Sequence, residues 1–250
     1  MNATTAQIPA RNNRWYVFSL LLFPLGLLYI WRLPTSIFIK IAYTVLAPPL
    51  FLYLTLLILS VALPPLDLTV GNRQDRTLYN PSGNYAVTFL KTGKETGGAY
   101  EEILVELEAG GGNGWHYHTT FDEQFTVIEG QVEIGLNGEA IYLEKGQTVT
   151  ARKSEEHYFH NPTSGKSNLL VKTIPARGLE KTIRIGYGLE NDGLMQEDMT
   201  ENPWHMALLL GYSETYFGGI PAVVQAPVVN GLARLAQWLG HDKDLKKYFM

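Results

Sequence analysis

No aspartate or glutamate precedes Asp67, and the stretch before it carries only four basic side chains, Arg11, Arg14, Arg32 and Lys40. Around those charges lie two apolar runs, 15–31 and 41–66. A bilayer span needs about 20 apolar residues, so the second run is long enough to cross even with Pro48 and Pro49 inside it. The first is shorter and contains Pro24; at about 1.5 Å rise per residue it reaches roughly 26 Å, against a hydrocarbon core of about 30 Å. The expected arrangement is a membrane anchor at 1–66 with two apolar segments, in preference to a cleavable signal peptide, whose apolar region is usually about 7 to 15 residues. If both runs span, Arg11, Arg14, Arg73 and Arg76 on the side of the termini outnumber Arg32 and Lys40 in the intervening loop. That asymmetry favours the cytoplasmic face for the remainder of the chain.

From Asp67 onward the chain holds sixteen basic and twenty-four acidic residues, a net charge of minus eight. Nucleic acid is a disfavoured partner, since such a footprint needs a basic face. With no cysteine in the chain, disulfides and thiolate zinc sites are excluded.

Strand signals dominate 67–190. Asn80-Pro81-Ser82-Gly83 is a turn leading into Tyr85 to Leu90. Ile103, Val105 and Leu107 alternate with Leu104, Glu106 and Glu108, and Val132, Ile134 and Leu136 precede Asn137-Gly138, a strong hairpin turn. Leu169 to Ile174 continues the series, and Thr182 to Tyr187 reads as its last strand. Many short strands with glycine-rich turns indicate an antiparallel sandwich or barrel. The tail, 191–250, begins as an acidic loop to Glu201. Asn202-Pro203 then looks like a helix cap with a first-turn proline. Two helices are expected, the second carrying Val228, Leu232, Leu235 and Leu239 at helical spacing and covering the barrel.

Within the strand region the chemistry concentrates in one stretch. Gly110, His116, His118, Glu123 and Gly130 are followed by Gly146, His157 and Asn161. Alternate strand residues share a face, so His116 and His118 project together while Trp115 and Tyr117 point away. Glu123 and His157 come from other strands. By the same parity Phe125 and Val127 lie with Glu123 and Phe159 lies with His157, making them candidates for an apolar substrate pocket, whereas His160 faces outward. Three imidazoles and a carboxylate suit a divalent transition metal, Fe, Mn, Ni, Zn or Cu, and leave coordination positions open for catalysis, for which Fe is the expected ion if the chemistry is oxygenation.

The double motif resembles that of the cupin superfamily, whose first part runs Gly, His-x-His, Glu, Gly and whose second runs Gly, Pro, Gly, His, Asn. The first part matches throughout; in the second, Arg152 stands for the family's proline and Ser154 for its second glycine. The resemblance covers roughly 82–190. It implies a mainly β fold, a jelly-roll barrel or double-stranded β-helix with His116, His118, Glu123 and His157 around a metal inside it, and pairing into a homodimer. With the N-terminal transmembrane hairpin and the C-terminal helices, the functional expectation is a membrane-anchored metal-binding protein, an oxidoreductase of the dioxygenase kind acting on a small organic substrate. A metal-dependent isomerase or epimerase, and a non-catalytic module that binds or senses a small ligand at the bilayer, are the alternatives.

Overall fold

The computed structural model describes residues 23–196 and 199–250. The chain divides into two compact units, 1–57 and 58–250. Leu25–Arg32 forms α1 in the first unit, and α2, Ile37–Ala62, begins in the first and ends in the second. Trp31 Nε1 donates to Thr44 Oγ1 at 3.1 Å and Lys40 Nζ donates to the Trp31 carbonyl at 3.1 Å, which ties the two helices together.

At 26 residues α2 is about 39 Å long, enough to cross a hydrocarbon core of about 30 Å. Among the described residues it is the one helix long and apolar enough to do so. It starts and stops four residues earlier than the apolar run. Pro64 and Pro65 explain the end, because a residue before proline is forced out of helical backbone and proline itself cannot donate. Of the expected hairpin of two spans, the described residues include one long helix and the eight-residue α1; residues 15–22 of the first run lie outside the described residues.

The second unit is built on two antiparallel sheets. Ten strands precede its first helix: β1 Thr77–Asn80, β2 Tyr85–Lys91, β3 Glu101–Leu107, β4 His116–His118, β5 Asp122–Glu129, β6 Gln131–Leu136, β7 Glu139–Glu144, β8 Thr148–Ala151, β9 His157–His160 and β10 Ser167–Ile174. There follow α3 Leu179–Asn191, the short pair β11 Met195–Gln196 and β12 Met199–Thr200, α4 Pro203–Tyr212, β13 Thr215–Phe217, α5 Ala222–Leu239 and α6 Lys246–Phe249. One sheet has the order β1-β2-β3-β10-β5-β8 and the other β13-β4-β9-β6-β7. No strand pairing joins the two sheets among the described residues, so the strands form a two-sheet sandwich rather than the expected closed barrel.

Alternation along the strands makes the core. Tyr85, Val87 and Phe89 of β2, Phe125 and Val127 of β5, Ile134 of β6 and Leu169 and Val171 of β10 are buried in one cluster. Each such side chain contributes roughly 1.5–3 kcal/mol by leaving water. Asn137 and Gly138 both take positive φ, 51° and 88°, as the two-residue turn between β6 and β7 requires.

Thr182–Tyr187 is not a strand. It lies inside α3, and the physical reason is visible in its neighbours. Leu179, Ile183 and Tyr187 pack against the sheet core, while Ile185 and Leu189 belong to a second cluster with Leu208, Leu209 and Tyr212 of α4 and Phe249 of α6. A helix wedged between two cores buries opposite faces, and apolar residues two apart on a helix point about 200° from one another. The resulting alternation imitates the period of a strand. The helix is further held by polar groups that a strand reading leaves unused. Arg184 Nε donates to Glu180 Oε1 at 2.9 Å and its Nη1 to the Asp75 carbonyl at 3.0 Å. Lys181 donates to the Asp67 carbonyl at 2.6 Å, and burial pulls its pKa down to about 8.

Asn202 does cap α4, accepting from the Trp204 N–H at 3.0 Å with Pro203 in the first turn. Between the two expected helices the tail also contains a strand, β13. β13 joins β4 edge to edge, with Thr215 opposite His118 and Phe217 opposite His116.

Candidate metal centre

His116, His118, Glu123 and His157 come together, with one possible ligand atom from each lying within 4.8 Å of all the others. β4 supplies the two alternating histidines, β5 the glutamate and β9 the third histidine. β4 and β9 are paired with His116 directly opposite His157. Ring centroids are 4.4 Å apart for His116 and His157, and 5.0 Å for His116 and His118.

The Nδ1 atoms fix the rings. His116 Nδ1 lies 2.8 Å from the Gly114 carbonyl, His157 Nδ1 2.9 Å from the Glu155 carbonyl, and His118 Nδ1 3.2 Å from the Ser213 carbonyl, with Thr215 Oγ1 a further 3.3 Å neighbour. A carbonyl only accepts, so each Nδ1 carries the proton and each Nε2 is left to face the cluster. That is the tautomer a metal-ligating histidine needs, with its second nitrogen anchored by backbone. His118 Nε2 is buried with no hydrogen-bond partner, and it faces Glu123 Oε2 at 3.9 Å. An orphaned buried imidazole nitrogen beside a buried carboxylate fits a divalent cation.

The electrostatics point the same way. Burial, reinforced by the neighbouring imidazoles, drives His116 down to about 3. Burial drives His118 down to about 4, so both are neutral near pH 7. Burial alone raises Glu123, but the hydrogen bond from His157 and the nearby imidazoles outweigh it and hold the carboxyl at about 2. His157 moves up: burial opposes its charge, and the hydrogen bond and negative charge of Glu123 overcome burial. His157 Nε2 lies 2.8 Å from Glu123 Oε2 and, in the protonated ring, donates to it. A proton there occupies the place a metal would take.

Phe125, Val127 and Phe159 are all buried in the sheet core. The Phe125 ring lies 5.7 Å from that of His157 and 6.4 Å from that of Phe159. None of the three lines the cavity of about 320 Å³ that opens beside His116. Its walls include Tyr85 and Trp115 of the sheet region and residues of α3, α4 and β13, which no local sequence pattern links to the quartet. The only sequence trace of β13 is Thr215-Tyr216-Phe217, a β-branched and aromatic triplet ahead of Gly218-Gly219. His160 lies outside the quartet, with His157 and Phe159 inward as strand parity requires. Glu155 and Glu156 are used in turns: Glu155 accepts from the Arg152 N–H at 2.8 Å and Glu156 from the Gly219 N–H at 2.6 Å.

The remaining motif residues shape the turns around the site. Gly130 has φ 77°, and a Cβ there would sit 2.4 Å from Ser167 Oγ. Ser154, where the cupin pattern has glycine, takes φ 67° and donates its N–H to the His118 carbonyl at 2.6 Å. The turn therefore forms without the glycine, and it anchors β4. Asn161 is fully buried. Its Nδ2 donates to the carbonyls of Leu107, Glu108 and Gly165, and its Oδ1 accepts from the Thr163 N–H and hydroxyl. Asn161→Ala is expected to cost about 2 kcal/mol, by orphaning those buried groups. Urea denaturation checks it, and a midpoint equal to wild type would refute the assigned role.

Residues 103–171 match the family model Cupin_2, cupin domain. An uncharacterized protein from Aquifex aeolicus (strain VF5) is 34% identical over 70 residues, which are 28% of this chain. The match spans 57% of that relative's length. Among solved structures, KdgF from Halomonas sp. is 18% identical with a TM-score of 0.37, covering 43% of this chain and 93% of that one. A sugar phosphate isomerase from a cupin superfamily of Silicibacter pomeroyi is 23% identical with a TM-score of 0.35, covering 46% and 77%. The family-model match supports the cupin superfamily for the part of this chain that carries the quartet.

Proposed function

We propose that this chain is a membrane-anchored, metal-dependent cupin oxygenase acting on a small organic substrate, with α2 as the anchor. The observation that carries the reading is the quartet itself: three Nδ1 atoms tied to carbonyls, three Nε2 atoms and a carboxylate converging, and His116 forming part of a cavity wall. When bound, a divalent metal with open positions supplies Lewis acidity and, if it is iron, one-electron and oxygen chemistry.

The cavity favours oxygen chemistry over isomerisation. Moving a proton on a bound substrate needs a free acid or base. The one carboxylate lining the cavity, Glu190, already accepts from the backbone N–H and the hydroxyl of Ser82. The Tyr85 and Tyr187 hydroxyls are bonded to each other at 2.9 Å. Protein reconstituted in detergent with Fe(II) is expected to consume oxygen when supplied with a panel of small organic compounds, and protein reconstituted with Zn(II) is not. Turnover of a chiral or keto substrate by the zinc form, without oxygen uptake, would replace this reading with isomerisation.

A further inference from the structure

The two apolar hollows of the second unit share a wall. One is the cavity of about 320 Å³ beside His116, and the other is an outer groove of about 490 Å³ between α4 and α5. Met206, Leu210 and Phe217 line both. Phe217 is opposite His116 in the β13–β4 pairing, and directly paired residues present their side chains on one face. The ring is half-exposed, so the partition is thin and one side chain deep at that point.

Neither hollow is lined by a lysine or an arginine among the described residues. A buried carboxylate or phosphate on a ligand needs a cation or several N–H donors to replace its water. Of the polar groups in the groove, Gln225 donates to the Phe217 and Ile220 carbonyls, Thr200 Oγ1 accepts from the Asn202 N–H, and Glu201 is itself a carboxylate with no donor to offer an anion. The groove wall α5 is also hydrogen-bonded to the segment that follows α2, through Arg234 Nη1 to the Leu63 carbonyl at 2.9 Å and Gln237 Nε2 to the Pro65 carbonyl at 3.4 Å.

We infer that the His116 cavity takes a neutral, largely apolar small molecule, which reaches it from the outer groove past Met206, Leu210 and Phe217. This deepens the oxygenase reading and rests on it for the role of the metal. The selectivity follows from charge. An anion entering the cavity would meet mainly Met, Leu and aromatic walls and the Glu190 carboxylate, with Asn80, Asn113, Thr182 and Thr215 as neutral polar neighbours and no lysine or arginine, whereas an aromatic or aliphatic body gains burial there at roughly 25 cal/mol per Å² of apolar surface. A volume at the lower end of the usual range for ligand pockets, roughly 300–1,000 Å³, suits a single-ring compound.

The full chain in lipid nanodiscs, titrated with 4-fluorotoluene and with 4-fluorobenzoate and followed by fluorine NMR, tests the inference. Wild type is expected to bind 4-fluorotoluene saturably and at least tenfold more tightly than 4-fluorobenzoate. Leu210→Trp and Met206→Trp each fill the partition from a partly exposed position, and each is expected to weaken 4-fluorotoluene at least tenfold, while empty nanodiscs show only linear partitioning. Equal or tighter binding of 4-fluorobenzoate, or wild-type binding in both variants, overturns the inference. Loading Mn(II) separates the two readings: broadening of the bound fluorine line supports both. Saturable, variant-sensitive binding without broadening supports the cavity and removes the metal from it.

Discussion

Purified after equilibration with Fe(II) or Mn(II), the wild-type chain is expected to hold close to one metal ion, and Glu123→Ala less than about a tenth of that. Outer groups that merely orient a ligand usually cost about 10–100-fold in metal affinity, and a direct ligand exceeds that range. Glu123 is the only anion in the quartet, and its carboxyl is held ionised at about 2 in a buried setting. Removing it leaves three neutral or cationic imidazoles around the cation. His118→Ala is expected to fall nearly as far, because its Nε2 is the buried atom with no hydrogen bond. His160→Ala, one strand residue beyond Phe159 and outside the quartet, is the control and should load like wild type. Elemental analysis of detergent-purified protein reads the result. Full occupancy in both Glu123→Ala and His118→Ala would refute the site, whatever the activity of the variants.

Why the quartet was visible in the sequence and its surroundings were not comes down to how far each interaction reaches along the chain. The spacing of His116 and His118 is a statement about strand parity, and Gly130 and Asn137-Gly138 mark backbone that turns with positive φ. Such features are encoded within a few residues. The ring of His118 is oriented by Ser213 and Thr215, nearly a hundred residues away, and no local pattern links them. The same distance hid the cavity. Strand parity identifies the inward face of Phe125, Val127 and Phe159. Which inward residues border open space depends on what α3, α4 and β13 bring over the edge of the sheets. Thr182–Tyr187 shows the complementary failure, because a helix buried on two sides has the alternation of a strand, and only a partner core can tell the two apart.

The metal-free protein is expected to lose stability as pH falls below about 6.5, and His118 is expected to be a main cause. Burial holds its imidazole at about 4, while in the unfolded chain it takes a proton near 6.5. Between those values the unfolded state binds more protons, so stability rises with pH and is lost on acidification, by about 1.4 kcal/mol per pH unit for a fully buried group. His116, held at about 3, acts in the same direction but less, since it borders the cavity. Two groups act otherwise. His157 is raised, so its contribution is fully present below about 6.5 and is lost as pH rises through its folded value. Glu101, pushed up to about 8 by burial and by Glu180, keeps its proton in the folded state and therefore offsets part of the acid loss between pH 8 and about 4.5. A difference between variants removes both. His118→Gln keeps a side chain that can donate to the Ser213 carbonyl yet cannot gain a proton. Its denaturation free energy should therefore change less than that of wild type between pH 6.5 and 4.5, by about 2–3 kcal/mol over the two units. Denaturant titrations of metal-free protein across that range measure it, and parallel pH profiles for the two proteins would show that the neutral buried imidazole is not the source. Bound metal sharpens the contrast. It occupies the Nε2 lone pairs that protons need, so loaded wild type should hold its stability to lower pH and then lose metal and fold together.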